Sequence, residues 1–339
     1  MPVSLRHVLS VAVAASLAAC GSTSEPAAES TATPGTEGAF PVSIEHAFGA
    51  TEIPEEPQRV VTWGWGSTDA AVALGVVPVA MPFQSYGGDA DGVLPWVRER
   101  LEQEGHEIPE VLPDVQEPPI EAIAAAEPDL ILAPYSGITE DEYELLSQVA
   151  PTVAYPEEPW ATPWRETIEI VGAALGKPDE ARDLLADIDA QVAAQAAAHP
   201  ELQGKSVALV WNTPDAFYVY KPADARVAFT LDLGLTSAES VERLAQGDET
   251  FFYTLSPERL DELDSDVLVS YADTQESSRA FLESPQAQLM EQVRAGAVAE
   301  VVGTELIAAV SPPTALSLTW GLERYVAELS EAAQAADAG

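Results

Sequence analysis

The sequence predicts an α/β protein built as two Rossmann-like lobes bridged by one long α-helix. Three observations carry this. From Phe40 to about Tyr155 short β-rich runs alternate with helical patterns; a second series opens at Lys205; and one unbroken amphipathic segment, Pro178 to Ala198, joins the two. Strands alternating with helical patterns are the mark of βαβ units and of parallel sheets covered by helices on both faces.

Taken in order, the chain begins with a segment that is not part of either lobe. Arg6 and His7 precede the apolar run VLSVAVAASLAA, which is too short for a bilayer-spanning helix of about 20 residues and has the layout of an export signal over residues 1–19. Leu17-Ala18-Ala19-Cys20-Gly21 holds the only cysteine of the chain and resembles the bacterial lipobox, whose cysteine receives a diacylglyceryl group and becomes the new N-terminus. Acyl chains at Cys20 anchor a protein at about 0.8 kcal/mol per buried methylene. Residues 20–40 then form a small, polar, Pro- and Gly-punctuated tether with no apolar face.

Residues 41–177 make the first lobe. RVVTW (59–63) and VPVAM (77–81) are strands flanking STDAAVALG, a helix with Ser67 or Thr68 as N-cap and Gly75 as stop; DLILAP (129–134), TEDEYELLSQVA and TVAY repeat the pattern. Residues 178–199 form the bridge. Pro178 suits the first helical position, Asp179 and Glu180 suit the positive end of the dipole, and Ala181, Leu184, Leu185, Ile188 and Val192 make one apolar stripe. The second lobe, residues 200–330, opens with KSVALVWN (205–212), continues through DVLVSY (266–271) and ends in the amphipathic TALSLTWGLERYVAEL, with 331–339 as a tail.

Charge removes whole classes of function. With 15 Lys plus Arg against 56 Asp plus Glu the net charge is -41, so a phosphate backbone is repelled and nucleic-acid binding is excluded. A lone cysteine forms no intramolecular disulfide and no thiolate metal site. His46, His106 and His199 are the histidines left after export; His46 falls in a leading strand and His199 at the end of the bridge, which is not a converging set for zinc or manganese. No G-x-S-x-G elbow, P-loop or Cys/His pair is present, so catalysis is not expected.

The strongest internal signal is an echo. IEAIAAAEPDLIL places Glu121 eight residues before Asp129, and PERLDELDSDVLV places Glu258 eight residues before Asp266, each as helix, turn and buried strand. A carboxylate in a first helical turn is often only a partner for the dipole. The loops expected at the carboxyl ends of the strands, where open α/β sheets bind ligands, are aromatic. They supply Trp63, Trp65, Tyr86, Tyr135, Trp211, Phe252, Tyr253 and Tyr271, rings able to face the organic arms of a bulky ligand. Arg226, in YKPADARVAF, stands where a hairpin turns into a helix and offers a forked contact to ligand oxygens or an ion pair with Asp224. Lys221 is the weaker candidate, and Trp96, Trp164 and Trp320 read as packing.

The lipobox, VSIEHAFGATEIPEEPQRVVTWGWGSTDAAVALGVVPVAM, IEAIAAAEPDLIL, LLSQVAPTVAY, the bridge and LSPERLDELDSDVLV together resemble the iron-siderophore substrate-binding proteins of bacterial ABC importers, the ferrichrome and ferric-hydroxamate group in particular. The resemblance covers residues 41–329. It implies a helical-backbone, lipid-anchored receptor acting as a monomer at the extracytoplasmic face of the cell membrane, with no cofactor and no chemistry on its cargo. Its ligand would be an Fe(III)-siderophore, of hydroxamate type by the match of Tyr135, delivered to a membrane permease; haem or cobalamin is the alternative, with Tyr86, Tyr135 or Tyr271 as an axial ligand to haem iron. The resemblance also implies that Glu121 and Glu258 dock onto arginines of the permease. The loop LPDVQEPP departs from the ferrichrome pattern, with Val115 or Gln116 where that group has an arginine, and Ser311 to Pro313 replace second-lobe aromatics of that group.

Overall fold

The computed structural model describes residues 40–247 and 249–338; the export signal, Cys20 and nearly all of the tether lie outside the described residues. The chain enters through an antiparallel hairpin, β1 (Val42–His46) and β2 (Gly49–Ile53). The first lobe follows as β3 (Val60–Thr62), α1 (Ser67–Ala73), β4 (Ala80–Met81), α2 (Pro95–Glu104), β5 (Glu110–Val111), α3 (Ile120–Ala125), β6 (Leu130–Leu132), α4 (Glu140–Ser147), β7 (Thr152–Val153) and α5 (Trp164–Ala174). Its strands β3 to β7 are all parallel, in the order β5-β4-β3-β6-β7.

After α6 (Pro178–Ala198) comes the second lobe. It comprises β8 (Ser206–Asn212), β9 (Phe217–Tyr220), α7 (Ala225–Asp232), β10 (Thr236–Ser237), α8 (Glu239–Leu244), β11 (Phe252–Leu255), a 3-10 segment (Pro257–Glu262), β12 (Val267–Ala272), α9 (Gln275–Leu282), α10 (Glu291–Ala295), β13 (Val298–Val302), α11 (Thr304–Val310) and α12 (Ser317–Ala338). The order is β11-β9-β8-β12-β13, with β10 also on β8. This sheet is mixed, because β9 and β11 run antiparallel to their neighbours.

Local chemistry explains most boundaries. Thr139 and Glu142 cap α4 reciprocally, the Thr139 hydroxyl accepting from the Glu142 amide and the Glu142 carboxylate from the Thr139 amide. At α1 the expected cap is corrected: neither Ser67 nor Thr68 serves, because the Ser67 hydroxyl donates to the Trp63 carbonyl and Thr68 pairs with Thr62, so Gly66, at φ 76°, takes the cap position. Residues 331–338 are likewise no tail. They complete α12, with Ala332 and Ala333 buried.

The echo in the sequence has one structural meaning in both sheets. Asp129 precedes β6 and its carboxylate accepts the amides of Gln58 and Arg59 just ahead of β3, both at 2.8 Å. Asp266 precedes β12 and accepts the amide and hydroxyl of Ser206 at the start of β8, both at 2.7 Å. β6 pairs with β3 and β12 with β8, so the same clasp ties the same strand pair in each lobe. The helical element before it differs, an α-helix in one and a 3-10 segment in the other.

Apolar side chains of the two lobes meet in one continuous core. One cluster runs from Val60, Trp96 and Val171 in the first lobe through Leu185 and Ile188 of α6 to Val207, Phe229 and Tyr325 in the second, while each sheet's other face has a cluster of its own. The predicted stripe of α6 is buried at Ala181, Leu185, Ile188 and Val192. At 1.5 Å per residue this helix is about 30 Å long. Arg165 of α5 adds a polar link, bonding Asp189 of α6 at 2.7 Å and Asp232 of α7 at 3.0 Å. A second crossing, not foreseen from the sequence, is the loop from Ser311 to Leu316 that leads into α12: Thr314 donates to Asp69 of α1, and Trp320 packs on Trp96 at 5.5 Å between ring centroids.

Candidate functional site

In each sheet the strand order reverses between two central strands, β3 and β6 in one lobe and β8 and β12 in the other. Neighbouring chains leave such a point in opposite directions and open a crevice beyond the carboxyl ends of the strands. Trp63, Gly64 and Trp65 leave β3 there beside Tyr135 from β6: the Trp65 amide donates to the Tyr135 carbonyl at 3.0 Å. Gly64, at φ +84°, is required by this approach, since a Cβ on it would lie 2.2 Å from that carbonyl.

The first-lobe wall is a groove of about 570 Å³ lined by Trp63, Trp65, Phe83, Gln84, Val115 and Trp160, among others. Trp63 forms its floor and is largely buried. Trp65 is half-buried and reaches across to the second lobe, its Nε1 donating to the Pro312 carbonyl at 3.1 Å. Trp160 stands 52% exposed at the rim, edge-on to Tyr135 at 5.7 Å. Trp160 is not among the aromatics named from the sequence, although it lies in the loop that follows β7, at the same carboxyl end of the sheet as the other loops.

The second-lobe wall is built on Arg226. Its guanidinium carbon sits 3.9 Å from the ring centroid of Tyr220, and its Nε donates to Asp224 at 2.7 Å. Asp224 also caps α7 by accepting the Arg226 amide. Both side chains are largely enclosed, 17% and 9% exposed. Burial draws the Arg226 pKa down, but the Asp224 carboxylate and the Tyr220 and Tyr271 phenols together outweigh it and the guanidinium is held charged; burial pushes the Asp224 carboxyl up while Arg226 opposes it.

The walls face one another closely. The Tyr86 ring lies 6.4 Å from Trp211, and its hydroxyl donates to Asp273 beyond β12 at 2.8 Å. Burial raises the Tyr86 phenol pKa, and the Asp273 acceptor raises it further. Tyr135 feels the opposite wall directly: burial raises its phenol, the Asp224 carboxylate adds to this and Arg226 opposes it. Of the predicted aromatics, Trp63, Trp65, Tyr86, Tyr135 and Trp211 therefore converge with Arg226.

Two tyrosines do not. Tyr253 is 1% exposed in the second lobe's outer core. Alternation along β11 is the reason: Tyr253 pairs with Val219 and shares its face, whereas Phe252 pairs with Tyr220. Phe252 is half-buried and packs edge-on to Tyr218 at 5.4 Å. Tyr271 lies beneath the second wall, between Trp211 and Tyr220, with its hydroxyl buried and unpartnered among the described residues. Burial raises its pKa strongly. It supports the wall and presents no hydroxyl to a ligand, which removes it as an axial ligand. Lys221 turns its Nζ to the Glu249 carbonyl at 2.7 Å. Glu121 and Glu258 are both exposed, each in the first turn of the helical segment that leads to its lobe's aspartate clasp.

Comparison with known proteins agrees with this architecture. The family model described as periplasmic binding protein matches residues 60–302. The "Probable siderophore-binding lipoprotein YfiY" of Bacillus subtilis is 30% identical over 231 residues, 67% of this chain and 67% of that protein. The Fe(3+) dicitrate-binding periplasmic protein FecB of Escherichia coli is 29% identical over 147 residues, 42% of this chain and 45% of its own length. Among solved structures, the ferrichrome complex of PiaA from Streptococcus pneumoniae superposes with a TM-score of 0.77 at 34% identity, covering 87% of this chain and 99% of that one.

Proposed function

Since the chain belongs to the periplasmic binding protein family, a family of binding proteins and not of enzymes, we propose that its cargo is an Fe(III)-siderophore of hydroxamate type, captured outside the cell membrane and passed to an ABC import permease. The observation that carries this is the arrangement of one enclosed cation, Arg226 on the face of Tyr220, opposite an aromatic first-lobe wall with Tyr135 and Tyr86 at its edge. Aromatic faces receive the organic arms of a chelate, and hydroxyl and guanidinium donors receive its oxygens. The likeness to the PiaA complex with ferrichrome supports the same cargo class.

Delivery uses the two exposed glutamates. Glu121 and Glu258 give one carboxylate per lobe, and paired charges on separate lobes fix orientation and steer encounter with a permease. Cys20 carries the lipid that holds the receptor, as a monomer, at the outer face of the membrane. The continuous core through α6 and α12 limits the lobes to a modest closing motion around the cargo.

Tryptophan fluorescence tests the cargo, because Trp65, Trp160 and Trp211 border the cleft. Saturable quenching by ferrichrome or ferrioxamine B, and none by their iron-free forms, is expected. Silence with every ferric siderophore would refute the reading, and quenching by haemin or cobalamin alone would replace the cargo. Changing both Glu121 and Glu258 to Ala should abolish uptake in cells while leaving this quenching intact.

A further inference from the structure

Charges around the cleft are few and unevenly placed. The residues lining the first-lobe groove include Asp114 and Glu142 and no Lys, Arg or His. On the second wall Asp273 engages Tyr86, and Arg226 is paired with Asp224. Lys221 is directed to a backbone carbonyl at the edge of β11. Arg226 is thus the cation that the two walls enclose, and its charge is met at 2.7 Å by a carboxylate even less exposed than itself.

That pairing alters what the guanidinium can do. Through Nε it is tied to Asp224, and no second carboxylate pairs with it among the described residues. The planar fork can still donate hydrogen bonds to neutral or polarised oxygens. What it lacks is net charge: together with Asp224 it presents a dipole, and the other charged groups on the two walls, Asp114 and Glu142 in the first-lobe groove and Asp273 beside Tyr86, are carboxylates. In a partly enclosed site of low dielectric, one uncompensated charge decides between cargoes that differ in net charge but share iron and size.

We propose that Asp224 is a specificity-determining residue: by cancelling Arg226 it makes the cleft accept uncharged or cationic ferric complexes and reject anionic ones. This deepens the siderophore reading and rests on it. Asp224 acts through Arg226 and is a positioning and charge-setting residue; no contact of its own with the cargo is required. A ferric tris-catecholate or ferric citrate, being multiply negative, meets an arginine whose charge is compensated in a cleft whose remaining charged groups are carboxylates. A ferric hydroxamate, neutral or singly positive, does not incur that repulsion.

The test is a charge series on the full chain: ferrioxamine B (cationic), ferrichrome (neutral), and ferric citrate and a ferric tris-catecholate (anionic), each titrated by tryptophan fluorescence against wild type, Asp224→Asn, Asp224→Glu and Arg226→Gln. Asp224→Asn keeps a capping oxygen for α7 but removes the charge. Its anionic-to-cationic affinity ratio should rise by roughly tenfold or more, Asp224→Glu should keep the wild-type ratio, and Arg226→Gln should lower it. A ratio is the readout because a merely structural defect weakens all cargoes alike. If Asp224→Asn does not fold, the Arg226→Gln ratio and the wild-type series decide. Wild-type binding of ferrioxamine B and the tris-catecholate with equal affinity, or an unchanged ratio in the folded variants, overturns the role of Asp224 while the siderophore reading stands. Absence of binding by every ferric complex overturns both.

Discussion

Asp69 offers a test of how the lobes are joined. It lies in the first turn of α1, 1% exposed, and one carboxylate oxygen accepts from Trp96 Nε1 at 2.5 Å and from the Thr314 hydroxyl of the returning loop. Its other oxygen is buried without a partner among the described residues. Burial pushes this carboxyl up from an ordinary 3.8 to about 6, against the opposing pull of those two donors. A carboxyl whose folded pKa exceeds its unfolded one holds its proton more tightly in the folded state. The stability it contributes is therefore present at low pH and is lost as pH rises from about 4 through about 6. At 1.36 kcal/mol per pH unit the loss approaches about 3 kcal/mol by pH 7. Asp69→Asn cannot ionise and should escape it. Urea unfolding of both proteins from pH 4 to pH 7.5 isolates the effect, since the other carboxylates cancel in the difference and any altered hydrogen bond adds only a constant. The variant's stability relative to wild type should climb by about 2.5 kcal/mol across that range, a first part of the loss having already occurred at pH 4. Parallel curves would show that Asp69 titrates in the folded state as it does in the unfolded chain, and that burial does not govern this contact between the lobes.

Other consequences are as direct. Gly64→Ala should destabilise by more than about 2 kcal/mol in urea unfolding and weaken cargo binding, because the new Cβ meets the Tyr135 carbonyl and the positive φ is lost to strain. Tyr253→Phe should raise the free energy of unfolding by up to about 1 kcal/mol, since its hydroxyl is buried and unpartnered among the described residues, and leave binding unchanged because it faces away from the cleft. Asp129→Ala and Asp266→Ala should each cost about 2 to 3 kcal/mol by the same assay, each removing a carboxylate that accepts two donors; a large cost in one lobe alone would deny that the two clasps are equivalent. Burial tends to raise the Asp266 carboxyl, but the Ser206 donors hold its pKa below the ordinary range, so the stability it adds is present at neutral pH and lost on acidification through that lowered value.

The sequence by itself determined whatever depends on neighbours along the chain. Strand and helix periods, the Thr139–Glu142 cap, Gly75 as a stop and the stripe of α6 are local patterns, and each appears where its residues put it. The eight-residue echo was also legible, although its meaning as a strand clasp needed the partner strands in place. Loops after strands could be named as the ligand side because parallel sheets gather them at one end. Which loop aromatics face the ligand could not be named, because that depends on the register between strands: one step along β11 separates Phe252 on the inner face from Tyr253 in the outer core. Tyr271 was lost from the site for a related reason, since the rings of Trp211 and Tyr220 that cover it come from two other strands. The contact of Asp69 with Thr314 joins residues 245 apart in sequence. No local pattern marks such a pair, and only the folding of one lobe against the other, driven by a core continuous through both, decides that this aspartate becomes a buried acid; the pairing of Arg226 with Asp224, two residues apart, was legible in the sequence, and the fold decided only how far the pair is enclosed.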